Sequence, residues 1–202
     1  MKRNEYSAGA VSYTFWFLEF RKVVQLLAEG KTYDEIKKLS EEDNIFGAPS
    51  KARAKNIYSA TTARIKALDE SFIPVFLDND IATQKQFALA ANLAYDTLFF
   101  DFVYEVVREK IIIGSNELEE SDFRIFFKYK QEQDERVAGY TDETIRRLIR
   151  SYKTQLFEAG MLDDNTRAKT RKILKPILDA SVKHWLEDYG YEPIVKAMEG
   201  IR

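Results

Sequence analysis

Apolar residues recur every three or four positions along most of this chain, so its pattern predicts helices almost throughout. Residues 12–29 read as an aromatic-rich helix that Gly30 stops, with Phe15, Leu18, Val23, Leu26 and Leu27 as core positions. Thr32 and Glu35 have the spacing of a capping box and open a short helix to about Leu39. After the turn-forming EEDNIFGAPS, a longer helix starts at Pro49 or Ser50 and runs to about Leu68. Further helices are expected at 71–77, 80–94, 95–112, 121–132, 180–188 and 191–199. There is no internal repeat and no low-complexity linker. The charged stretch QEQDERVAGY (131–140) is the best place for a domain boundary, dividing a helical unit of 1–132 from a unit of 133–202.

Residues 141–179 break the helical monotony. Thr141 suits a helix N-cap, and Asp142 and Glu143 favour the positive end of the helix dipole. Ile145, Leu148, Ile149, Tyr152, Leu156 and Phe157 form the buried stripe, which leaves Arg146, Arg147, Arg150 and Lys153 for the polar face. Gly160 ends the helix, and Met161-Leu162 starts a strand. A basic loop and a second β-prone run follow, carrying Arg167, Lys169, Arg171, Lys172 and Lys175, with Pro176 placing that run at a sheet edge. Helix, glycine stop and cationic hairpin together outline a winged helix. The expected fold is therefore mainly α: a helical N-terminal domain with a helix-turn-helix-like element at 32–68 and core helices at 71–113, then a C-terminal winged-helix-like domain with a small β-hairpin.

Charge sharpens this picture. The 202 residues carry 31 Lys and Arg against 33 Asp and Glu, a net charge of −2, so the chain cannot coat nucleic acid uniformly. Any such site must come from local segregation, and two segments show it. One is the hairpin helix and wing. The other is 44–68, which has no acid and carries Lys51, Arg53, Lys55, Arg64 and Lys66, with Ser50, Asn56, Ser59, Thr61 and Thr62 as further donors to phosphates or base edges. The candidate DNA-binding residues are thus Lys51, Arg53, Lys55, Arg64, Arg146, Arg147, Arg150, Lys153, Arg167, Lys169, Arg171 and Lys172. The plainer reading stays beside it: charged helix faces are commonly solvated for solubility, and Ala52, Ala54, Ile57, Ala60, Ile65 and Leu68 also suit simple bundle packing.

Other chemistry is sparse. No cysteine is present, which removes disulfides, thiol catalysis and cysteine-ligated zinc. The single histidine, His184, is expected as a partly buried structural residue beside Trp185. The acidic runs 41–43, 117–120 and 163–164 sit at turns or helix starts and lack a calcium-loop spacing. There is no phosphate-binding glycine loop, nucleophile elbow or dinucleotide fingerprint, so neither an enzyme, a cofactor, a metal site nor a small-molecule substrate is expected. Residues 86–113 are apolar but interrupted by Asp96, Asp101, Glu105, Arg108, Glu109 and Lys110, too often for the ~20 apolar residues of a membrane span. The opening Met1-Lys2-Arg3-Asn4-Glu5 leads into an acid-containing segment unlike a signal peptide, and a cytoplasmic protein is expected.

Several short pieces, in order, resemble the BrxA family of bacterial BREX phage-defence systems. They are Tyr6–Gly9, Glu19–Arg21 with Leu26-Leu27, Arg64–Leu68, Asp101–Val106, Glu158–Leu162 and Leu174–Leu178. The likeness spans nearly the whole chain. It implies a largely helical protein, in a family compared with the RNA-binding antitermination factor NusB. It also implies a non-enzymatic double-stranded DNA binder acting with other proteins of a defence assembly. The family has carried an inner-membrane label, which the charges breaking 86–113 oppose here. Its binding residues are not fixed by a motif, so the site residues above rest on the two basic clusters. Two other functions are open: a protein-interaction scaffold using the aromatic stretch Tyr13–Phe20, and NusB-like RNA binding.

Overall fold

The computed structural model describes residues 2–163 and 168–202. It is mainly helical. A short 3₁₀ turn at Gly9–Val11 precedes α1 (Phe17–Ala28), α2 (Tyr33–Glu42), α3 (Lys51–Ile65), α4 (Phe72–Leu77) and α5 (Ile81–Tyr95). Next, α6 (Thr97–Phe102) passes through a π-helical turn, Val103–Val107, into α7 (Arg108–Ile112). Strand β1 (Glu117–Glu119) leads to α8 (Glu120–Gln133), α9 (Glu135–Ala138) and α10 (Asp142–Glu158). Strand β2 (Thr170–Lys172), α11 (Ala180–Asp188) and α12 (Glu192–Glu199) complete the chain.

Local chemistry explains most of these boundaries. Thr32 accepts from the Glu35 N–H while the Glu35 carboxylate accepts from the Thr32 N–H at 2.8 Å, closing the expected capping box. Ser50 caps α3 and Thr141 caps α10 in the same way, each through a hydroxyl that accepts from an N–H three residues on. The expected helix at 12–29 is shorter than its pattern. Trp16 sits in the left-handed region (φ 48°), which breaks helical geometry, and α1 begins only at Phe17. The shift rotates the stripe: Phe17, Phe20, Val23 and Val24 are buried, and Leu18, expected in the core, is 72% exposed.

Aromatic side chains fill the interior. Phe20, Phe72, Phe76, Phe87 and Trp185 interlock, mostly tilted or edge to face, between α1, α4, α5 and α11. Phe99, Phe102, Phe123, Phe127 and Tyr152 form a second group between α6, α8 and α10, partly stacked and partly tilted. Both groups belong to one apolar core that includes residues from Ala10 to Met198 and so lies on both sides of 131–140. Among the described residues, no helix is long and apolar enough to cross a membrane.

The strand pairing differs from a plain hairpin. β2 runs antiparallel to β1, with Glu117 opposite Lys172, Leu118 opposite Arg171 and Glu119 opposite Thr170. On the other side of β2, Leu162 bridges Ile173, the Asp163 N–H donates to the Lys172 carbonyl at 3.0 Å, and the Leu174 N–H donates to Met161 at 2.9 Å. The returning run is therefore flanked on both sides, not left at an edge; Pro176 lies beyond the ladder, where it costs no strand hydrogen bond. Sequence patterning misses β1 because three residues, ELE, carry almost no periodic signal.

A further element stitches the molecule together. The N-terminal strap reaches across several helices, and Arg3 makes a bidentate pair with Asp101 at 2.8 and 2.7 Å. Tyr6 donates to the same carboxylate at 2.6 Å. Lys130, 4% exposed, reaches Glu105 at 2.6 Å, Tyr6 at 3.3 Å and Asp101 at 3.4 Å. Burial works against the Lys130 charge, but hydrogen bonds and the nearby carboxylates outweigh it and hold its pKa above the ordinary value.

Candidate functional site

The strap continues along residues 10–14, and there the two basic clusters meet. Its backbone carbonyls accept from side chains on both helices. Arg53 of α3 donates to Ser12 at 3.3 Å, while Arg147 of α10 donates to Val11 at 3.2 Å and Ser151 to Tyr13 at 3.2 Å. Between α3 and α10 this leaves a groove of about 440 Å³ floored by Ala10–Thr14. Arg53 and Asn56 line one wall; Arg147, Arg150, Ser151 and Thr154 line the other. Three arginines and no carboxylate line it. The Arg53 guanidinium also lies over the Trp16 ring, 4.7 Å from its centroid, which fixes its direction without neutralising it. The Arg150 guanidinium has no hydrogen-bond or ion-pair partner among the described residues and is exposed. A groove of this kind can accept an oxyanion: Arg53 and Arg147 are held in place, Arg150 is free to pair, and no acid in the lining competes for them.

The remaining candidates fall into four groups. Lys51 and Lys55 are exposed on α3, where they line a separate hollow with Glu41 and Glu42 of α2, and Lys169 and Lys172 are exposed in and beside β2. Arg146 is exposed but pairs with Glu143 at 3.0 Å on its own helix. The expectation of surface cations fails at three positions. Arg64 is 3% exposed and donates to the Thr14 and Phe15 carbonyls at 2.9 and 3.0 Å, because its place on α3 faces the strap and the core. Burial pulls its pKa down to about 10, against the attraction of Asp96. Arg171 is likewise 3% exposed: it points to the same side of the sheet as Leu118 and pairs with Asp163 at 2.8 Å. Lys153 is drawn off the polar face into an ion pair with Glu120, above the Phe123 ring. Arg167 lies outside the described residues.

Several donors expected on α3 are also internal. Thr61 and Thr62 are buried and bond back to the Ile57 and Tyr58 carbonyls, whereas Asn56 does reach the groove. On α10, Leu148, Ile149, Tyr152 and Leu156 are buried as expected, but Phe157 is 37% exposed. His184 is exposed rather than partly buried. No cluster of His, Asp or Glu among the described residues has the grouping to hold a metal. Sequence reasoning missed the strap at 10–14. Its contribution is made by backbone carbonyls, which no residue type announces.

The whole chain has relatives of the same architecture. The BrxA family model matches residues 4–190. The chain is 36% identical over 190 residues to the BREX protein BrxA of Bacillus cereus (strain H3081.97), covering 94% of each. It is 22% identical to the BREX protein BrxA of Paramagnetospirillum magneticum (strain ATCC 700264 / AMB-1), over 90% of this chain and 89% of that one. Its fold matches the crystal structure of an uncharacterized protein from Magnetospirillum magneticum with a TM-score of 0.82, at 20% identity, over 98% of this chain and 100% of the other. The chain belongs to the BrxA family.

Proposed function

We propose that this protein is a non-enzymatic, double-stranded DNA-binding component of a BREX phage-defence system, working in the cytoplasm beside other proteins of that system. The two relatives named as BREX proteins support the setting. The observation that carries DNA binding is the groove where Arg53 of one helix faces Arg147 and Arg150 of another, with no carboxylate between them.

The order of elements supports a winged-helix reading of the second half. Strand β1, helix α8, the short α9, helix α10 and the returning β2 follow in sequence, and β2 lies between β1 and the Met161–Asp163 segment. In that motif the helix at the position of α10 contacts DNA and the wing grips an adjacent phosphate. Here Arg147 and Arg150 are the helix contacts, and Lys169 and Lys172 are the wing contacts. Lys51 and Lys55 extend the track from α3.

A second reading has its own observation. Leu18, Ile81, Phe157 and Ile177 are all exposed large apolar residues (72, 54, 37 and 86%), and a protein contact would cover them. The two readings separate in one experiment. Fluorescence anisotropy with duplex DNA, single-stranded DNA and RNA should show duplex preferred. Arg147→Glu with Arg150→Glu should weaken it roughly tenfold or more, with helical circular dichroism unchanged. Undiminished duplex binding by that variant would refute the groove, preference for RNA would favour an RNA-binding function, and no binding to any of the three would favour the protein contact.

A further inference from the structure

A second cavity opens beside the arginine groove and shares Ala10 and Tyr13 with it. Its volume is about 310 Å³, at the small end of ligand pockets. Glu5, Gly9, Arg64, Tyr95 and Asp96 also line it. Arg64 and Asp96 both face it, attract one another, and yet make no direct ion pair. The Arg64 Nε is buried without a hydrogen-bond partner, an arrangement that asks for an explanation in a side chain only 3% exposed. Asp96 caps α6 by accepting from the Phe99 N–H at 3.0 Å; burial pushes its pKa up to about 6. Gly9 leaves room for the Tyr13 ring, which a Cβ would approach to 3.2 Å.

These groups suit an uncharged, planar, polar ligand. Asp96 offsets the one buried arginine, which disfavours a phosphate or carboxylate inside the pocket; Glu5, at its exposed edge, is paired with Arg136. Two tyrosines offer aromatic surface, Asp96 accepts an N–H, and Arg64 donates. We propose that the pocket is a nucleobase site, which holds one base while the attached phosphate lies in the neighbouring arginine groove. The base could come from a free nucleotide or from a strand whose base has turned out of the stack. The second source rests on the DNA-binding reading above.

Two titrations distinguish these sources. The first measures binding of nucleoside monophosphates by calorimetry. The second compares a matched duplex with the same duplex carrying one central mismatch, by anisotropy. Extruding a mismatched base costs less, so a base site should favour the mismatched duplex by about tenfold. Asp96→Asn and Tyr95→Leu should each abolish that preference and leave matched-duplex affinity alone; asparagine retains the capping ability of Asp96. Nucleotide binding that needs Asp96, without a mismatch preference, assigns the pocket to a free nucleotide. The same result with no duplex binding sinks the DNA reading and leaves the base site standing. Equal binding of both duplexes with no nucleotide binding overturns the base site and leaves the DNA reading intact. A mismatch preference that survives both substitutions also overturns it, since it would then report only the flexibility of mismatched DNA. No binding of any kind overturns both.

Discussion

Replacing Asp101 by alanine should loosen the strap and cost about 3–4 kcal/mol of stability. Its carboxylate, 4% exposed, accepts from Arg3 twice, from Tyr6, and from Lys130 at the longer distance of 3.4 Å. Breaking a buried ion pair by removing one partner typically costs about 3–5 kcal/mol. The value here belongs near the lower end, because Lys130 keeps Glu105 at 2.6 Å and Arg3 is half exposed and can return to water. For a chain of this length each kcal/mol lowers Tm by about 2–4 °C, so the expected fall is about 6–16 °C. Urea unfolding gives the free energy, and hydrogen exchange of the amides at 3–14 tells whether the strap opens before the core. A loss below about 1 kcal/mol, or unchanged exchange along the strap, would refute the claim that this carboxylate anchors it.

Three other perturbations test separate parts of the account. Asp96 has a folded pKa of about 6 against an ordinary 3.8, so the native state binds its proton more tightly than the unfolded chain. The stability from this group is therefore full below about pH 4 and lost as pH rises toward 6; Asp96→Asn should gain up to about 3 kcal/mol at pH 8 and little at pH 4, measured by chemical denaturation. Gly200→Ala should destabilise strongly: φ is +63°, and a Cβ would lie 2.2 Å from Ile111 Cγ2. The left-handed backbone accounts for about 1–2 kcal/mol and overpacking for about 1–3 more, whereas Gly30→Ala (φ +85°, open space) should show the backbone cost alone in thermal melts. Arg64→Ala should lower stability by about 2–4 kcal/mol, by stranding the buried Phe15 carbonyl and the part-buried Thr14 carbonyl and leaving a void, and any loss of matched-duplex affinity should disappear once the fraction folded is accounted for.

Where structure depends on neighbours in sequence, it was legible. The capping box at Thr32 and Glu35, the Thr141 cap, the Gly160 stop and the buried stripe Leu148, Ile149, Tyr152 and Leu156 all follow from spacing. One misreading is local, and the others have a common cause, which is that distant segments decide them. Leu18 fits a helical stripe, but the left-handed Trp16 restarts the helix and turns that side chain outward. Arg64, Lys153 and Arg171 count as surface charges until the strap, Glu120 and Asp163 are placed beside them. The groove depends on the same long-range facts: Arg53 and Arg147 lie far apart in sequence, and the carbonyls of Ser12 and Val11 bring them to one floor.

The most direct test of the central claim is the salt dependence of duplex DNA affinity for the intact protein. If Arg53, Arg147 and Arg150 each neutralise one phosphate, log affinity should fall with log salt at a slope of about −3, and toward about −6 where the exposed lysines of α3 and the wing also engage. Arg150→Glu should make that slope shallower by about one. A wild-type slope near zero, or a slope that Arg150→Glu leaves unchanged, would contradict the arginine groove as the site where DNA is held.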